Sequence, residues 1–573
     1  MSLISIPIGR AGLGVHSALV QYASDYIAKL EDKQTSSDKY GKDGFTDYAD
    51  ALKQLYFKNG HIEGNIKLLP RSIVIGSDIY GLECFDSTRV GTKTSNFLRR
   101  SMNNTAQDAN GGWATDWSYD YDYIVHLHEP SYNIWSLGFS NLSLQREELS
   151  EYIRKTVEGT SSLSGFLSLA SLGGGTGSGA GSLVSRLLSD NYPKVRHMTT
   201  VVAPFLHGES GTHALNSILA LADHQEHCDG IIILSNDLSQ PLVEKLFGQK
   251  VSTLQNVNEL HAINILHSLR PQISTCPIAK LTQFRKPLDY MTDGLCSYPS
   301  LKLLNIDMLP VQYFGEHKTI SSSLQQMVGQ VADMINAAPS AVDNLVNEKI
   351  STLRREVYNP PGALNISLSK STSAPNEQVN IQDFIGHKVI KINQNDAYRH
   401  VKSIKYAPVV GPTSQNMKIV ETGISLRNSS PSDCKEVIPD SYKLIKTAGK
   451  RRSTVSKYNV VVSLQLNIGG KLLEGMNVVD LYQDVMFWRH SLRPIQASYC
   501  PYDIGIFGNI LTQVSNSQAA VPMLDFLSNT AKMSYATNSN IHHYKEAGME
   551  VEQLKDGLTR VQNIYRSYQM LIK

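Results

Sequence analysis

The stretch SLGGGTGSGAGS, residues 171–182, contains six glycines in twelve positions. An ordered chain seldom concentrates glycine, because glycine loses more backbone entropy on folding than any other residue. The apolar run GFLSLASL at 165–172 leads into it, and the helical pattern SLVSRLLSD follows it. Strand, glycine loop and helix in this order predict an anion cradle, in which backbone N–H groups and the positive end of a helix dipole face a phosphate.

The glycine loop narrows the class of site. No lysine follows its last glycines, so it is not a Walker-type P-loop. Overlapping matches to G-x-G-x-x-G leave a Rossmann-type dehydrogenase as an alternative, but that fingerprint follows the first strand of its unit, and here strand-like runs come earlier. The predicted phosphate contacts are the backbone of Gly173, Gly174, Gly175, Gly177 and Gly179 and the hydroxyls of Thr176 and Ser178.

The composition is that of a globular protein. The chain has 573 residues, of which 41% are hydrophobic and 18% charged, and its formal net charge is +2. This balance gives no indication of a nucleic-acid partner. The six cysteines include no C-x-x-C pair, which argues against a zinc site and is typical of a reducing compartment. No apolar run reaches the ~18 residues expected of a membrane span.

Five short apolar runs predict the topology. They lie at 3–8, 72–77, 165–172, 197–204 and 230–235. Apolar runs without alternation suit strands that are buried on both faces, and strands that alternate with helices predict a parallel, doubly wound α/β sheet. Ligands of such sheets bind beyond the carboxyl ends of the strands, so the loops after these runs are the candidate binding loops.

The rest of the chain suggests further units. Residues 250–270 predict a long helix with apolar residues around most of its circumference, which is typical of a helix buried between domains. Residues 37–60 and 100–128 are expected to be rich in loops. The predicted organisation is a first domain at 1–249, a central helix at 250–270, a second α/β domain at 271–500 with a weakly periodic insertion at about 358–456, and the end of that domain with C-terminal helices at 501–573.

The motif GGGTGSG resembles the tubulin signature, which bacterial tubulin-like division proteins share with variation. The resemblance covers about 1–345 and 458–573. Within the family the chain most resembles the delta-tubulins, on EYIRKTVEGTSSLSGFLSLASLGGGTGSGAGSLVSRLL and FRKPLDYMTDGLCSYPSLKLLNI. The resemblance implies a nucleotide-binding GTPase-like first domain, a second α/β domain, a C-terminal helical hairpin, and GTP or GDP as the ligand.

The resemblance extends the predicted site to the loops that are counted first and third in tubulins, here the loop from Gly9 to Gly14 and the loop from Ser131 to Trp135. Gly9, Arg10 and Ala11 match the loop that begins G-Q-x-G in tubulins. Arg10 replaces the usual glutamine, so it either brings a positive charge to the phosphates or faces solvent. Asn133 is the one asparagine that remains where the third loop normally has a pair.

The loops that are counted second and fifth in tubulins, here Gly76–Ile79 and the segment after Pro204, would supply a carboxylate each. Asp78 keeps an acid at the position associated with Mg²⁺ through water, although the acid before it is lost. Glu209 is expected either to contact the ribose or to lie in a solvated loop.

Two asparagines match the positions that contact the guanine edge in tubulins. Asn236 follows the fifth apolar run, and Asn258 lies on the long helix. An amide carries both a donor and an acceptor, which suits guanine and discriminates against adenine. Leu254 replaces the aromatic residue that often stacks on the base, so packing is kept and stacking is lost.

Hydrolysis is a separate expectation. In tubulin filaments the next subunit supplies an acidic residue that positions water at the γ-phosphate. Tyr290 stands at that position here, with Asp289 one residue before it and Asp293 nearby. One residue along a helix is a rotation of about 100°, so Asp289, which would act in trans, is alternatively a plain surface carboxylate. We expect GTP binding, with GTPase activity that is weak or dependent on a neighbouring subunit.

The resemblance implies a cytoskeletal role. A delta-like tubulin would act in the cytoplasm at centrioles and basal bodies, and hence in cilia, in the assembly or stability of triplet microtubules. Its partners would be other tubulins or microtubule and centriole proteins. The alternatives are a structural pseudo-GTPase that binds nucleotide weakly and another minor tubulin of the zeta or epsilon type.

Overall fold

The computed structural model describes residues 2–32, 42–62, 65–77, 117, 119–205, 211–247, 253–276, 281–309, 420–421, 460–469, 485–500 and 510–572. Apart from 420–421, the predicted insertion at 358–456 lies outside the described residues. So do two predicted site residues, Asp78 and Glu209.

The described residues form a long alternation of strands and helices. The strands are β1 (Ser2–Pro7), β2 (Phe57–Ile62), β3 (Asn65–Pro70), β4 (Val74–Gly76), β5 (Ile124–His126), β6 (Leu163–Ser171), β7 (His197–Ala203), β8 (Gly230–Ser235), β9 (Gln272–Cys276), β10 (Leu281–Arg285), β11 (Leu303–Leu309), β12 (Val420–Glu421), β13 (Val460–Gly469), β14 (Met486–Phe487), β15 (Ile495–Cys500) and β16 (Ile510–Ser517). The helices are α1 (Gly9–Asp32), α2 (Lys42–Tyr56), α3 (Trp135–Ser143), α4 (Arg146–Glu158), α5 (Gly175–Asn191), α6 (Thr212–His227), α7 (Asn236–Phe247), α8 (Leu254–Ser268), α9 (Pro287–Leu295), α10 (Val521–Ala536), α11 (Ile541–Glu546) and α12 (Val551–Gln569).

A ten-stranded sheet runs through the described part of the chain in the order β1-β6-β7-β8-β11-β16-β13-β15-β12, with β14 paired to β13. The strands from β1 to β11 along this path are parallel, and β16 is antiparallel to both of its neighbours. Isolated bridges from Ser5 to Ser72 and from Ile8 to Ile75 tie the β4/β5 pair to the β1 edge. All five predicted apolar runs are therefore confirmed as strands of a parallel arrangement.

Helices cover both faces of the parallel strands. On β6, Leu167 and Leu169 belong to the hydrophobic cluster that α1, α2 and α8 complete, whereas Phe166 and Ala170 belong to the cluster of α4 and α5. A third cluster holds α6 against α10 and α12. This confirms the doubly wound α/β class and the C-terminal helical hairpin.

The central helix is confirmed as a buried element. Every residue of α8 from Glu259 to Ser268 is buried, and the helix contacts α1, α7, β11 and β16. Through the β8–β11 and β11–β16 pairs the sheet continues from the first predicted domain into the second. The predicted domain boundaries themselves stay predictions.

The expectation of a loop-rich segment at 37–60 is wrong for its described part, which forms α2 and the start of β2. Tyr48, Leu52 and Leu55 recur at helical spacing and are buried in the α1 and α8 cluster. The helical spacing of these three residues is present in the sequence, but the polar residues between them make the apolar pattern weak.

Candidate functional site

The glycine loop forms an open helix start at the carboxyl end of β6. Gly174 is the N-cap residue of α5, with extended backbone angles and no side-chain cap. The first N–H groups of a helix have no partner within the helix, so an uncapped start offers them to a ligand. The Thr176 hydroxyl lies in this first turn, 3.0 Å from the Ser131 hydroxyl. The arrangement is that of an anion site at a helix N-terminus.

The first loop closes the cradle from the neighbouring strand. Gly9 has φ +67°, in the left-handed region, and a Cβ atom added there would lie 3.3 Å from the Gly177 nitrogen. Both the conformation and the approach favour glycine. Arg10 is exposed and Ala11 half-buried in the first turn of α1. The structure thus brings the predicted residues of the first loop next to the glycine loop.

Helix packing explains several glycines of the motif. A Cβ atom at Gly175 would lie 2.5 Å from the Ile134 nitrogen, and one at Gly179 2.5 Å from the Phe139 nitrogen. A Cβ atom at Gly177 of α5 would lie 2.7 Å from the nitrogen of Ser171, the last residue of β6. These contacts are with backbone, so α5 packs against α3 and β6 at distances that a side chain would prevent. The glycine content reflects this packing as well as any ligand.

Ser178 differs from its prediction. We expected its hydroxyl to donate to a phosphate, but the hydroxyl donates to the Gly174 carbonyl at 2.6 Å, and the residue is fully buried. A hydroxyl has one proton to donate, and here that proton is used inside the first turn of α5. The serine therefore stabilises the start of the helix. Thr176 is half-buried, and its hydroxyl remains the candidate phosphate donor of the loop.

The third loop has an unusual backbone that a buried amide holds. Tyr132 and Asn133 have φ values of +44° and +58°. The Asn133 carbonyl accepts a hydrogen bond of 2.8 Å from Asn216 Nδ2, and the same amide donates to the Gly173 carbonyl at 2.6 Å. The predicted residue Asn133 is thereby fixed beside the glycine loop, with its own side chain exposed.

The two asparagines that are predicted to contact the guanine base lie at the start of α7 and on α8. Asn258 faces Gly14 of α1, where an added Cβ atom would lie 2.7 Å from its Nδ2. Asn236 opens α7, and its Oδ1 lies 3.1 Å from His261 Nε2, one turn beyond Asn258 on α8. Desolvation lowers the pKa of His261 to about 3, so the ring is neutral. Leu254, at the start of α8, is 61% exposed.

The neutral ring of His261 can orient the Asn236 amide. If Nε2 carries the proton it donates to Asn236 Oδ1, and the unpartnered buried atom is then the acceptor Nδ1. The reversed amide would leave a buried N–H without a partner, which costs more. The amide NH₂ is thereby directed away from His261.

The predicted magnesium contact is not tested by the described residues. Among them no group of three or more histidine, cysteine, aspartate or glutamate residues could hold a metal ion. The predicted metal ligand Asp78 lies outside the described residues, so its role stays a prediction.

Asp289 lies at the opposite end of the parallel strands from the glycine loop. It contacts Arg196, with Nε and Oδ1 4.0 Å apart, and Asp293 binds the same guanidinium at 2.8 Å. Arg196 precedes β7, so this network lies at the amino ends of the strands, away from the glycine loop. Burial raises the pKa of Asp289. Tyr290, at the position of the acid in tubulins, is buried, and its hydroxyl donates to the Ala497 carbonyl at 3.1 Å.

Three residues near the site were missed in the sequence. A Cβ atom at Gly173 would lie 3.3 Å from His213 Cγ, so this histidine borders the glycine loop. Asn216 and His261 hold site residues from buried positions. The available signal was a polar side chain inside an apolar helical stretch, such as Asn216 in ALNSILALA, and the sequence alone does not show what such a side chain contacts.

Comparison with known proteins shows what the N-terminal part of the chain is similar to. A family model described as Tubulin/FtsZ family, GTPase domain, matches residues 2–240. Residues 2–240, less than half of the chain, are thus similar to the Tubulin/FtsZ GTPase domain. The loops described above, from Gly9 to Asn236, lie within this matched region.

Individual relatives are similar over a shorter stretch. The chain is 30% identical to the tubulin delta chain of Macaca fascicularis over 195 residues, which are 34% of this chain and 43% of that protein. The tubulin delta chain of Homo sapiens is 29% identical over 195 residues. The tubulin epsilon chain of Mus musculus is 33% identical over 129 residues, 22% of this chain and 27% of that protein. The matches thus span less than half the length of these relatives, and they confirm the delta-like resemblance.

No helix among the described residues is long and apolar enough to cross a membrane.

Proposed function

We propose that this chain is a divergent delta-like tubulin that binds GTP or GDP between the first turns of α1 and α5. The observation that carries the proposal is the unbroken GGGTGSG motif at the uncapped start of α5, with Gly9 against it. Backbone N–H groups and the helix dipole there favour a polyphosphate. Thr176 would add a hydroxyl donor, and the exposed Arg10 a positive charge.

The opposite end of the site would hold the guanine base. Asn258 beside Gly14 and Asn236 beside His261 bring two amides to the same side of α8. With its Oδ1 occupied by His261, Asn236 would present its NH₂ to the base, where it pairs with an acceptor atom. Guanine carries an acceptor, O6, where adenine carries an amino group, so this orientation favours GTP over ATP.

Hydrolysis would depend on a second subunit. Asp289 and Asp293 lie at the opposite end of the parallel strands from the glycine loop, and both form ion pairs with Arg196. Neither reaches the nucleotide of its own chain, so a carboxylate could act only in trans, at the site of a neighbour in a filament. Since Tyr290 is buried, we propose Asp289 as the acid and a weak GTPase activity that needs assembly.

The cellular role is proposed from the relatives. Similarity to delta chains supports a cytoskeletal protein of the cytoplasm that assembles with other tubulins or with microtubule and centriole proteins. We propose that it acts at centrioles and basal bodies, and thus in cilia, in the assembly or stability of triplet microtubules. An epsilon-like role is the second candidate, because an epsilon chain matches at similar identity over a shorter stretch.

A structural pseudo-GTPase is the other candidate function. The observations that favour it are the engaged Ser178 hydroxyl and the exposed Leu254 where tubulins often stack an aromatic ring. Such a protein would keep the fold and its partner surfaces with little affinity for nucleotide.

One experiment separates these functions. The protein is purified gently, its bound nucleotide is identified by chromatography, and the nucleotide-free protein is titrated with GTP and ATP in a calorimeter. Recovered guanine nucleotide and a preference for GTP support the binding proposal. No bound nucleotide and no heat with GTP would leave the pseudo-GTPase. Fluorescent tagging then asks whether the protein lies at basal bodies.

A further inference from the structure

Asn216 of α6 is a fully buried amide at the centre of the phosphate site. Its Nδ2 donates to the carbonyls of Asn133 and Gly173, at 2.8 and 2.6 Å. Its Oδ1 accepts from the Trp135 backbone N–H at 2.9 Å and from the Tyr544 hydroxyl at 2.6 Å. An amide can make four such bonds, two as donor and two as acceptor, and Asn216 makes all of them.

Three segments distant in sequence meet at this side chain. They are the third loop with the start of α3, the glycine loop, and α11 near the C-terminus. The third loop has positive φ at Tyr132 and Asn133, which residues other than glycine adopt only when their surroundings hold them there. Asn216 bonds to this loop on both sides, at the Asn133 carbonyl and the Trp135 N–H, and so supplies that restraint.

Tyr544 orients the amide. Its hydroxyl also lies 3.2 Å from the Thr212 carbonyl, but the shorter contact is with Asn216 Oδ1. Burial raises the pKa of Tyr544, so the hydroxyl keeps the proton that it donates. With Oδ1 held by Tyr544 and Trp135, the amide can face the two carbonyls in only one sense.

We infer that Asn216 is the positioning residue that sets the glycine loop and third loop in register for the phosphates, and that Tyr544 couples the C-terminal helices to this site. The inference rests on the proposed nucleotide function. Coupling between sites is reciprocal, so a bound nucleotide would in turn stabilise the contact of α11 with α6. The surface of the C-terminal helices would then differ between the nucleotide-bound and nucleotide-free protein.

The chain contains a comparable tyrosine–asparagine pair away from the site, in which the tyrosine hydroxyl also accepts from the Leu303 backbone N–H. Asn516 of β16 is also fully buried, and its Nδ2 donates to the carbonyls of Leu295 and Leu301 at 2.8 and 2.7 Å. Its Oδ1 accepts from the Tyr568 hydroxyl at 2.8 Å. Tyr544→Phe and Tyr568→Phe therefore each remove one hydroxyl from a buried tyrosine–asparagine pair.

The experiment compares these variants in the full-length protein by titration with GTP. Tyr544→Phe is expected to weaken GTP affinity about three- to tenfold, the equivalent of one lost hydrogen bond, and Tyr568→Phe to leave it within about twofold. Asn216→Asp keeps the shape but turns an oxygen toward two carbonyls, so its loss should exceed tenfold, whereas Asn516→Asp should change affinity little. If Asn216→Asp does not fold, the tyrosine pair alone decides.

Hydrogen exchange of the nucleotide-free protein gives a readout that does not depend on GTP. Tyr544→Phe should raise exchange in 131–135 and 173–175, and Tyr568→Phe should raise it near 295–303 instead. Equal affinities for the two tyrosine variants, or no increase at 131–135, would overturn the inference. If the wild-type protein binds no GTP but the two tyrosine variants show the expected exchange patterns, the proposed function is refuted and Asn216 remains the residue that holds the two loops.

Discussion

Alanine substitutions at Gly179 and Gly181 test whether helix packing explains the glycines of the motif. Both residues lie in α5. A Cβ atom at Gly179 would lie 2.5 Å from the Phe139 nitrogen and 2.9 Å from the Gly138 carbonyl carbon, both backbone atoms of α3. At Gly181 the nearest atom would be Ala170 Cβ at 3.4 Å, an ordinary contact. The two sites share their helix and differ in what surrounds them.

The magnitudes follow from two opposing effects. In a helix interior alanine is more favourable than glycine by about 1 kcal/mol. Overpacking a close contact costs about 1–3 kcal/mol, and backbone atoms can yield less than the end of a side chain. We expect Gly179→Ala to lower the free energy of unfolding by about 1–2 kcal/mol and Gly181→Ala to raise it by up to about 1 kcal/mol.

Urea denaturation followed by tryptophan fluorescence measures both variants. Trp135 is a local reporter, because it is buried at the α3–α5 contact and its Nε1 donates to Ser182 at 2.9 Å. The wild-type midpoint and slope provide the reference. If Gly179→Ala is as stable as Gly181→Ala, the packing explanation is wrong and the motif glycines serve the ligand alone.

Three further predictions concern the site and its surroundings. Thr176→Val should weaken GTP affinity about five- to tenfold, whereas Ser178→Ala should mainly lower thermal stability, because the Ser178 hydroxyl is bound to Gly174; equal losses of affinity in a GTP titration would restore Ser178 as a phosphate donor. A Cβ atom at Gly14 would lie 2.7 Å from Asn258 Nδ2, so Gly14→Gln should displace the Asn258 amide. We expect GTP affinity, measured with a fluorescent analogue, to fall about tenfold. Unchanged binding would show that Asn258 does not touch the base. Burial raises the pKa of Glu259 from its ordinary value of 4.5 to about 7. The folded protein then holds a proton that the unfolded chain has released, so stability falls as the pH rises between these values. Glu259→Gln should thus raise the free energy of unfolding by about 2–3 kcal/mol more at pH 8 than at pH 5, and a gain independent of pH would contradict this assignment.

The sequence predicted the parallel strands well because their apolar runs are buried on both faces. The runs at 197–204 and 230–235 match β7 and β8 closely. It failed at α2, where the helical period of Tyr48, Leu52 and Leu55 lies among polar residues, and at the β2–β3 pair, which has no such run. A local sequence pattern predicts a strand or helix well only where the apolar residues that become buried form a clear repeat with the period of that element.

The candidate site divides in the same way. The sequence predicted the glycine loop as a phosphate site because strand, glycines and helix are adjacent in sequence. It predicted the two asparagines as base contacts because they match a family position. Asn216 and His261 were not readable, since their partners lie at other points of the chain. The Ser178 role was missed because a hydroxyl in a motif does not reveal which acceptor it faces.

By itself the sequence determined the strand–loop–helix order, because this order depends on neighbouring residues, and from that order it predicted an anion as the ligand. The tertiary structure alone decided which loops meet. In the fold, Gly9 lies against Gly177, and Tyr544 contacts Asn216, which binds the glycine loop and the loop of Asn133. Asp289 lies beside Arg196, at the opposite end of the parallel strands. Such pairings arise when helices pack on a sheet and bring distant segments together, so no local pattern records them.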